Sequence, residues 1–530
     1  TMREIVTLQF GSSANYVGTH FWNIHDEHLS STPEDAAPVV DTDVLFRSSQ
    51  AEDGTTAYVP RLLLFDVKGN LGSLPQGGWA FGGPSQLETT PCSWGAGVQI
   101  VQQPRVEENS FLRGVRAEEE ALQIPAGDGM EAGADQAYQA TPLVESEVRY
   151  WSDFLRCHLH PRTCHLLSAG QGTDFDDVTS GWELWQEQRS VVEDFEDNLH
   201  YFVEECDSLQ GFHIVADSNT AFAGFTTSAL TMLQDEFDKT PVVTFGCETP
   251  LEPSNRTEFH ESVFVSRMLQ LSSLYVPLAP PSTSTSLRLS PHSIYRSSAI
   301  LAAAIETATL PTRTHKFSVP LGEMVSPLSL ARIARLHLAL PLQLRPEQPL
   351  PPLLEQLSLH GNVRDGNTID ELSRCTRPTH LHSAVSVLRG VPGPSLDRDI
   401  FHPDPAARRQ LAHDTLDGFL KRHGAIRYRS HVINHPLPVP VAFPRVFDSD
   451  VGRYGERGPN ETGEVVSCPA LSVLSTDDGL GKWLTRASTN LHPRNPFIRD
   501  FGWGCSEDME EHREALETAA GHLAPDDFDD

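Results

Sequence analysis

Apolar residues recur along the middle of the chain in patterns that predict alternating helices and strands. Between positions 192 and 206 they are spaced by three and four, which is the period of one face of a helix. Residues 212–216 form an apolar run typical of a buried strand, and a loop of small and polar residues follows at 217–224. A second helical pattern then leads to another apolar strand at 241–245. Strand, loop, helix and strand make a βαβ unit, which predicts a parallel sheet with a right-handed crossover.

The start of the chain has a similar arrangement. Residues 5–10 form an apolar strand, a turn rich in Gly and Ser follows at 11–18, and an amphipathic helix continues from it. A further apolar strand is expected at 62–65. In parallel sheets, ligands bind at the carboxyl ends of strands and near the amino ends of helices. The segments 11–18 and 217–224 are therefore the predicted ligand-binding loops.

Changes in composition divide the chain into three predicted parts. Residues 1–265 form an α/β domain of the doubly wound, Rossmann-like type, interrupted at 83–145 by a segment rich in Gly, Pro, Gln and Glu that indicates an inserted loop. A linker rich in Pro and Ser leads into a second α/β domain over 266–450. Residues 451–530 are expected to be helical and to end in an acidic, solvated tail.

The charge of the chain argues against two classes of partner. Its 530 residues contain 40 Lys and Arg but 72 Asp and Glu, a formal net charge of −32. Nucleic acids and anionic lipid surfaces are bound by cationic proteins, so neither is an expected partner. The longest apolar run, 299–305, ends at Glu306 and is shorter than the roughly 18 residues of a spanning helix. The N-terminus predicts no signal or transit peptide, and eight cysteines without a CxxC pair favour a reducing compartment.

Three separated segments resemble tubulins, in the order in which tubulins carry them. Residues 2–22 are similar to the first strand, turn and helix, MREIVxIQxGQCGNQIGxxFW. Residues 58–66 resemble YVPRAxxxDLEP, and residues 206–212 resemble CDxLQGF, which precedes the phosphate-binding loop GGGTGSG. The resemblance implies a tubulin/FtsZ-like fold, with nucleotide loops at 11–18 and 217–224.

Both nucleotide loops depart from the tubulin pattern. The first contains Ser12 and Ser13 where tubulins have Gln and Cys, and the second is DSNTAFAG instead of a glycine-rich loop. Glycines let backbone N–H groups approach a phosphate and allow positive φ, whereas Thr220, Ala221 and Phe222 restrict both. Asp217 adds a negative charge near the expected position of the phosphates.

The acidic residues of the tubulin GTPase site are also changed. The acid of DLEP that is associated with magnesium is Lys68 here, so Asp66 either keeps a water-mediated contact with magnesium or is neutralised by Lys68. Tubulin-like GTPases take a catalytic acid from an NxD loop after the central helix. Residues 297–346 contain no Asp, and their only acids are Glu306 and Glu323. No catalytic residue is therefore expected.

The positions that remain form a candidate nucleotide-site remnant. It consists of Gly11, Ser12, Ser13, Asn15, Asp66, Asn219, Thr220 and Gly224. These residues either bind a phosphate at a helix amino end or belong to structural loops, in which Ser12 or Ser13 would cap the helix. No cofactor is expected, and GTP is the one candidate.

Two other segments suggest chemistry but favour simpler interpretations. The Cys and His residues within 157–165 lack the paired spacing of a zinc site and fit a helix end, a turn and a strand, so no metal is expected. The GLGK sequence at 479–482 lacks the Ser or Thr that follows Lys in a P-loop and predicts the start of a helix. The Gly-rich segment 170–173 is followed at once by acidic residues and predicts a loop.

A tubulin frame with altered nucleotide loops is similar to the Misato family of tubulin-related proteins. The segments 62–72, 151–154, 158–162 and 387–390 also fit that family. The resemblance implies a non-enzymatic protein of mitochondrial distribution, morphology and inheritance, located in the cytoplasm and peripherally at the outer face of mitochondria. It implies protein partners, such as an outer-face receptor or cytoskeletal proteins. A GTP-binding, polymerising GTPase and a cytoskeletal assembly factor are the alternatives.

Overall fold

The computed structural model describes most of the chain outside the long Gly- and Pro-rich stretches. The described ranges are 3–31, 38–50, 56–74, 109–123, 144–168, 175–249, 254–342, 369–390, 405–456, 464–492 and 506–524, without 282–283, 285–286, 290–292 and 379 and with the single positions 350, 354, 357, 359, 495 and 497. The predicted loop at 170–173 and the acidic tail lie outside the described residues.

The strands of the described part belong to two larger sheets and two short ribbons. In chain order they are β1 (Glu4–Phe10), β2 (Phe46–Gln50), β3 (Thr56–Pro60), β4 (Leu62–Val67), β5 (Cys164–Leu167), β6 (Leu209–Asp217), β7 (Val242–Cys247), β8 (Leu274–Leu278), β9 (Arg335–Ala339), β10 (Asp370–Glu371), β11 (Leu381–Arg389), β12 (Arg427–Ile433), β13 (Leu437–Pro438), β14 (Ser467–Cys468) and β15 (Ala470–Asp477).

Helices cover both sheets. In chain order they are α1 (Ser12–Ser31), α2 (Ser110–Gln123), α3 (Val178–Glu187), α4 (Arg189–Glu204), α5 (Ala221–Glu236), α6 (Asn255–Leu271), α7 (Ile294–Thr309), α8 (Leu321–Val325), α9 (Pro405–Arg422), α10 (Asp478–Asn490) and α11 (Ser506–Gly521). The predicted helix start at 479–482 is confirmed, because Asp477 caps α10 by accepting a hydrogen bond from the Leu480 N–H.

The first sheet has six parallel strands in the order β5-β4-β1-β6-β7-β8. Counted along the chain within this sheet, that order is 3-2-1-4-5-6, the doubly wound order of Rossmann-like domains. The predicted tubulin/FtsZ-like α/β fold and the βαβ unit β6–α5–β7 are confirmed. The order reverses between β1 and β6, and a crevice at this point is the usual ligand site of such sheets. The sheet continues through β8, beyond the predicted domain boundary at 265.

The second sheet has five strands in the order β10-β9-β15-β11-β12. Its central strand, β15, is buried along its whole length. The prediction that residues 451–530 are helical is therefore wrong for residues 470–477. The run ALSVLSTD carries small and apolar residues on both faces, because helices or strands cover both sides of a central strand.

The insertion at 83–145 is only partly described, and the loop prediction is wrong for residues 110–123. They form α2, whose Phe111, Leu112 and Val115 are buried. These apolar positions are spaced as on one helix face, a signal that the high content of Gly, Pro and Glu around them obscured.

Helix α7 lies between the two sheets, and its middle is buried on every side. The Ala-rich stretch 299–305 joins a hydrophobic core that also contains residues of β1, β7, β11 and β15. Among the described residues, no helix is long and apolar enough to cross a membrane.

One carboxylate of α7, that of Glu306, is completely buried and joins three other parts of the chain. It forms ion pairs with Arg389 of β11 and with Arg313 at 3.3 Å, and it contacts His28 of α1 at 3.1 Å. Burial alone would raise its pKa, but Arg389, His28 and Arg313 hold the pKa of Glu306 well below its ordinary value. The ring of His28 is also in hydrogen-bond contact with His435, 2.8 Å away. Polar contacts at this one point connect both sheets.

Candidate functional site

At the point where the strand order reverses, a side chain of the protein itself occupies the amino end of α1. Asp217, the last residue of β6, accepts hydrogen bonds from the backbone N–H of Ala14 at 2.8 Å and of Ser13 at 3.4 Å. Backbone N–H groups at a helix amino end are the donors that bind phosphate in nucleotide sites. Two of these donors are therefore already bonded to the carboxyl group of Asp217.

Gly11 permits this arrangement. Its φ of +102° lies in the region that favours glycine, and a Cβ atom there would stand 2.5 Å from Cγ of Asp217. The glycine thus makes room for the aspartate side chain. Ser12 and Ser13 lie in the first turn of α1, so the expectation that one of them caps the helix is wrong. The carboxyl group of Asp217 takes that place.

Burial changes the acidity of this carboxyl group. Asp217 is almost fully removed from solvent, which raises its pKa to about 8, although the Ala14 N–H opposes the shift. The buried carboxylate of Asp66 raises the pKa further. Around neutral pH, Asp217 therefore takes up a proton that an exposed aspartate would release.

Asp66 is bonded on both of its carboxylate oxygens. Oδ1 accepts from the Val67 N–H at 2.7 Å and from Asn70 at 2.8 Å. Oδ2 accepts from the indole N–H of Trp151 at 2.9 Å and from Asn15 at 3.1 Å. Four donors use the lone pairs that a magnesium ion or its water would need. Neutralisation of Asp66 by Lys68 is not the arrangement seen either, since Lys68 is exposed and the buried carboxylate is held by N–H donors.

Aromatic rings fill the space between the amino-terminal halves of α1 and α7. Phe154 packs against Tyr295 of α7, with ring centroids 4.9 Å apart, and against His20 of α1 at 4.4 Å. Tyr16 and Phe111 join the same cluster, at 5.7 Å from Phe154 and from Tyr295 respectively. These aromatic residues and Trp151 were not predicted as site residues, because the WSDF segment and α2 reach this space only in the folded chain.

The second predicted loop is shorter than expected and is used for structure. Strand β6 runs to Asp217 and α5 begins at Ala221, so only residues 218–220 connect them. Thr220 caps α5 by accepting from the Phe222 N–H. Gly224 lies inside α5 against α3, where a Cβ atom would collide with the carbonyl oxygen of Val178. The structure thus places Gly11, Ser12, Ser13, Asn15 and Asp66 around Asp217, but Thr220 and Gly224 elsewhere.

Asn219 faces a different region, at the carboxyl ends of β6 and β7. Its side-chain oxygen accepts from the hydroxyl of Thr249 at 2.9 Å. The residue also lines a cavity of about 280 Å³ with Glu248, Glu261 and Arg374. Burial raises the pKa of Glu248 to about 7, while the guanidinium of Arg374, 2.9 Å away, opposes the shift. This cavity contains charged groups of both signs and is separate from the amino end of α1.

Glu306 lies in the central helix, α7, and Glu323 follows that helix in the chain. These two acids differ in their surroundings. Glu306 is buried in its ion pairs and reaches no solvent. Glu323, on α8, leaves 57% of its side chain exposed and forms an ion pair with Arg429 at 3.1 Å. The backbone N–H of Leu321, in the same short helix, donates a hydrogen bond to Gln210 near the start of β6. Helix α8 therefore lies at the amino end of β6, whereas Asp217 is at its carboxyl end.

The Cys and His residues at 157–165 have packing and hydrogen-bond roles. Cys157 and Cys164 are buried, and burial raises both thiol pKa values. His165 contacts the carbonyl oxygen of Arg162 at 2.9 Å, and His160 stacks on Tyr201 with centroids 5.2 Å apart. In the described part of the chain, no group of three or more His, Cys, Asp or Glu side chains is arranged to hold a metal ion.

The doubly wound sheet, the buried central helix and the altered loops at the strand-order reversal define a tubulin-like protein. A Misato Segment II tubulin-like domain model matches residues 3–117, and a Tubulin domain model matches residues 140–314. The chain belongs to the Misato family of tubulin-like proteins.

Three relatives each match more than half of the chain, and two of them have the family name. Protein misato of Drosophila melanogaster is 30% identical, with 92% of each chain covered. Protein misato homolog 1 of Danio rerio is 28% identical over 89% of this chain and 87% of its own length. Protein DML1 of Gibberella zeae is 31% identical over 59% of this chain and 61% of its own. The family predicted from the motifs is thereby confirmed.

Proposed function

We propose that this chain is a non-enzymatic Misato-family protein that acts by binding protein partners in mitochondrial distribution, morphology and inheritance. The observation that supports the non-enzymatic part most directly is the pair of hydrogen bonds that the Ser13 and Ala14 N–H groups donate to the Asp217 carboxyl group. A nucleotide phosphate would have to displace a group supplied by the chain itself. The bonded oxygens of Asp66 and the aromatic packing around Phe154 support the same proposal.

The mitochondrial part of the proposal comes from the family resemblance. It places the protein in the cytoplasm and peripherally at the outer face of mitochondria. With a net charge of −32, the chain would be repelled by an anionic lipid surface, so a protein receptor is the proposed tether.

One observation favours a second candidate function, that of a polymerising GTPase. Glu323 is an exposed acid that follows the central helix, α7. It lies near the amino end of β6, at the opposite end of the first sheet from the amino end of α1. In a head-to-tail polymer, such an acid would meet the nucleotide-site region of the next subunit. The position of Glu323 is compatible with that role, but two backbone donors at the amino end of α1 are bonded to Asp217.

Titration of the full-length chain with GTP and magnesium separates these two functions. We expect no saturable binding up to about 1 mM GTP and no release of phosphate, because Asp217 and its neighbours occupy the required donors. Isothermal titration calorimetry and a phosphate-release assay measure the two quantities, with tubulin as the positive control.

Micromolar affinity together with hydrolysis would contradict the non-enzymatic function. The GTPase candidate further requires that Glu323→Gln abolish hydrolysis and leave GTP affinity unchanged. Copurification of tubulin with a nucleotide-free chain would instead favour the cytoskeletal assembly factor.

Fractionation of cells that express the full-length chain tests the proposed location. We expect part of the protein to sediment with mitochondria, to be digested by protease added to intact organelles, and to remain bound at about 0.5 M salt, where exposed charges are largely screened. Immunoblotting of the fractions measures this, with an outer-membrane and a matrix protein as references. Protection from protease would contradict an outer-face location, and release by salt would contradict a protein tether.

A further inference from the structure

Among the residues that the structure describes, β12 is the outer strand of the second sheet and pairs only with β11. Its seven residues run parallel to β11, in register from Arg427 opposite Ser383 to Ile433 opposite Arg389. Among the described residues, no strand or other backbone group pairs with its outer side. An edge of this kind presents free N–H and C=O groups on which a further strand can form.

The two faces of β12 are covered by different helices, which leave the edge itself open. Lys421 of α9 lies 5.5 Å from the ring centroid of Tyr428, whereas Arg429 pairs with Glu323 of α8. Because neighbouring residues of a strand point to opposite faces, α9 and α8 lie on opposite sides of the sheet. The Arg409 guanidinium of α9 stacks 3.8 Å from the ring centroid of Phe317, which precedes α8.

Two large apolar side chains beside this edge are exposed to solvent. Ile426, immediately before β12, is 81% exposed, and Phe317 is 71% exposed. Phe317 also has a φ of +65°, a conformation that a bulky residue adopts only at a cost. Exposed apolar groups that flank an unpaired strand are the features of a surface that binds another chain.

The charge of this region is opposite to that of the chain as a whole. Residues 405–433 contain six Lys or Arg and two Asp, a formal net charge of +4 within a chain of −32. Arg427 is exposed at the start of β12 and has no ion pair in the described part of the chain. Arg409 and Arg429 lie farther along the same edge and already contact Phe317 and Glu323. A basic surface on an acidic protein selects an acidic partner.

We propose that β12 is a docking site for an extended, acidic segment of a partner protein, which adds to the sheet as a sixth strand. Main-chain hydrogen bonds to β12 would provide affinity, and contacts with Arg427, Ile426 and Phe317 would select acidic and apolar side chains. A polypeptide fits this edge better than a lipid surface, since lipids cannot pair with a row of backbone groups. The inference rests on the proposed function in that it assumes a chain that acts through protein partners.

A synthetic peptide of seven alternating Glu and Val residues, labelled with fluorescein, is the probe for this site. We expect saturable binding to the full-length protein and at least about fivefold weaker binding to the Arg427→Glu variant, because a cross-strand attraction becomes a repulsion. A peptide with alternate backbone nitrogens methylated should bind at least about tenfold more weakly, since it cannot donate to β12. Fluorescence anisotropy measures each dissociation constant.

Three controls make the test decisive. Arg189→Glu reverses an exposed charge on α4, far from β12 in the fold, and should leave peptide affinity unchanged. Replacement of Glu by Lys in the peptide should abolish binding. An unchanged urea midpoint for Arg427→Glu would show that the exposed substitution leaves the fold intact.

The proposal is overturned if the acidic peptide fails to bind, if methylation has no effect, or if Arg189→Glu weakens binding as much as Arg427→Glu. Binding of vesicles that contain anionic lipid, lost in Arg427→Glu, would assign the surface to a membrane instead. Peptide binding and GTP binding are measured separately, so failure of this site is distinguishable from failure of the non-enzymatic function.

Discussion

The Glu306→Gln variant is expected to lose about 3–5 kcal/mol of unfolding free energy, the range for removal of one partner from a buried ion pair. The Glu306 carboxylate is fully buried and is the common partner of Arg389, Arg313 and His28. Glutamine keeps the shape of the side chain but removes its charge. Two buried guanidinium groups would then lack the anion that compensates their desolvation.

Urea denaturation followed by tryptophan fluorescence measures this loss. Glu323→Gln is the matched control, because its carboxylate is mostly exposed and its pair with Arg429 should contribute about 0–1 kcal/mol. The double variant Glu306→Leu with Arg389→Leu should be more stable than Glu306→Leu alone, since it removes one of the uncompensated charges. Equal effects of Glu306→Gln and Glu323→Gln would show that the buried ion pairs do not stabilise the fold.

The Asp217→Asn variant is expected to change how stability depends on pH. The pKa of Asp217 is raised by burial to about 8 in the folded protein, whereas an unfolded aspartate titrates near 3.9. Between these values the folded chain holds a proton that the unfolded chain has released. The wild-type protein therefore loses stability as pH rises from about 4 to about 8, by at most about 1.4 kcal/mol per pH unit from this group.

Asparagine does not titrate, so the variant lacks this contribution. Its unfolding free energy, relative to wild type, should rise between about pH 4 and 8 and become constant above about pH 8. Urea denaturation at a series of pH values measures the difference, and Asp235→Asn, on the exposed side of α5, controls for loss of a surface charge. A difference that increases towards low pH would mean that Asp217 is charged in the folded state and stabilised by the Ser13 and Ala14 N–H groups.

Local sequence patterns were sufficient to predict much of the first sheet. The spacing of apolar residues at 192–206 and the run at 212–216 correspond to α4 and β6. Helix α4 buries one face at the helical period, and β6 is buried on both sides, so each leaves a clear local pattern. The same reasoning missed β15. Its short run of Ala, Leu, Ser and Val has no strict alternation, and its pairing partners, β9 and β11, lie about 80 to 140 positions earlier in the sequence.

The candidate site was predicted by position but not by contact. Motif comparison placed Gly11, Asn15 and Asp66 in the candidate nucleotide-site remnant and Asp217 near the expected phosphates, and the structure brings these four residues together. That Asp217 binds the amino end of α1 depends on a contact across about 200 residues, which no local spacing reveals. The hydrogen bond that Trp151 donates to Asp66 likewise joins residues that are far apart in the sequence.

The contact between the Asp217 carboxyl group and the amino end of α1 also has a consequence for how this protein would be regulated. A group tethered within its own binding site acts at an effective concentration that no freely diffusing ligand reaches. Under the proposed function, the Asp217 side chain is an internal substitute for a nucleotide phosphate. The conformation of the protein would then be independent of the supply of nucleotide in the cell, so changes in its activity would have to come from the abundance and location of its partners.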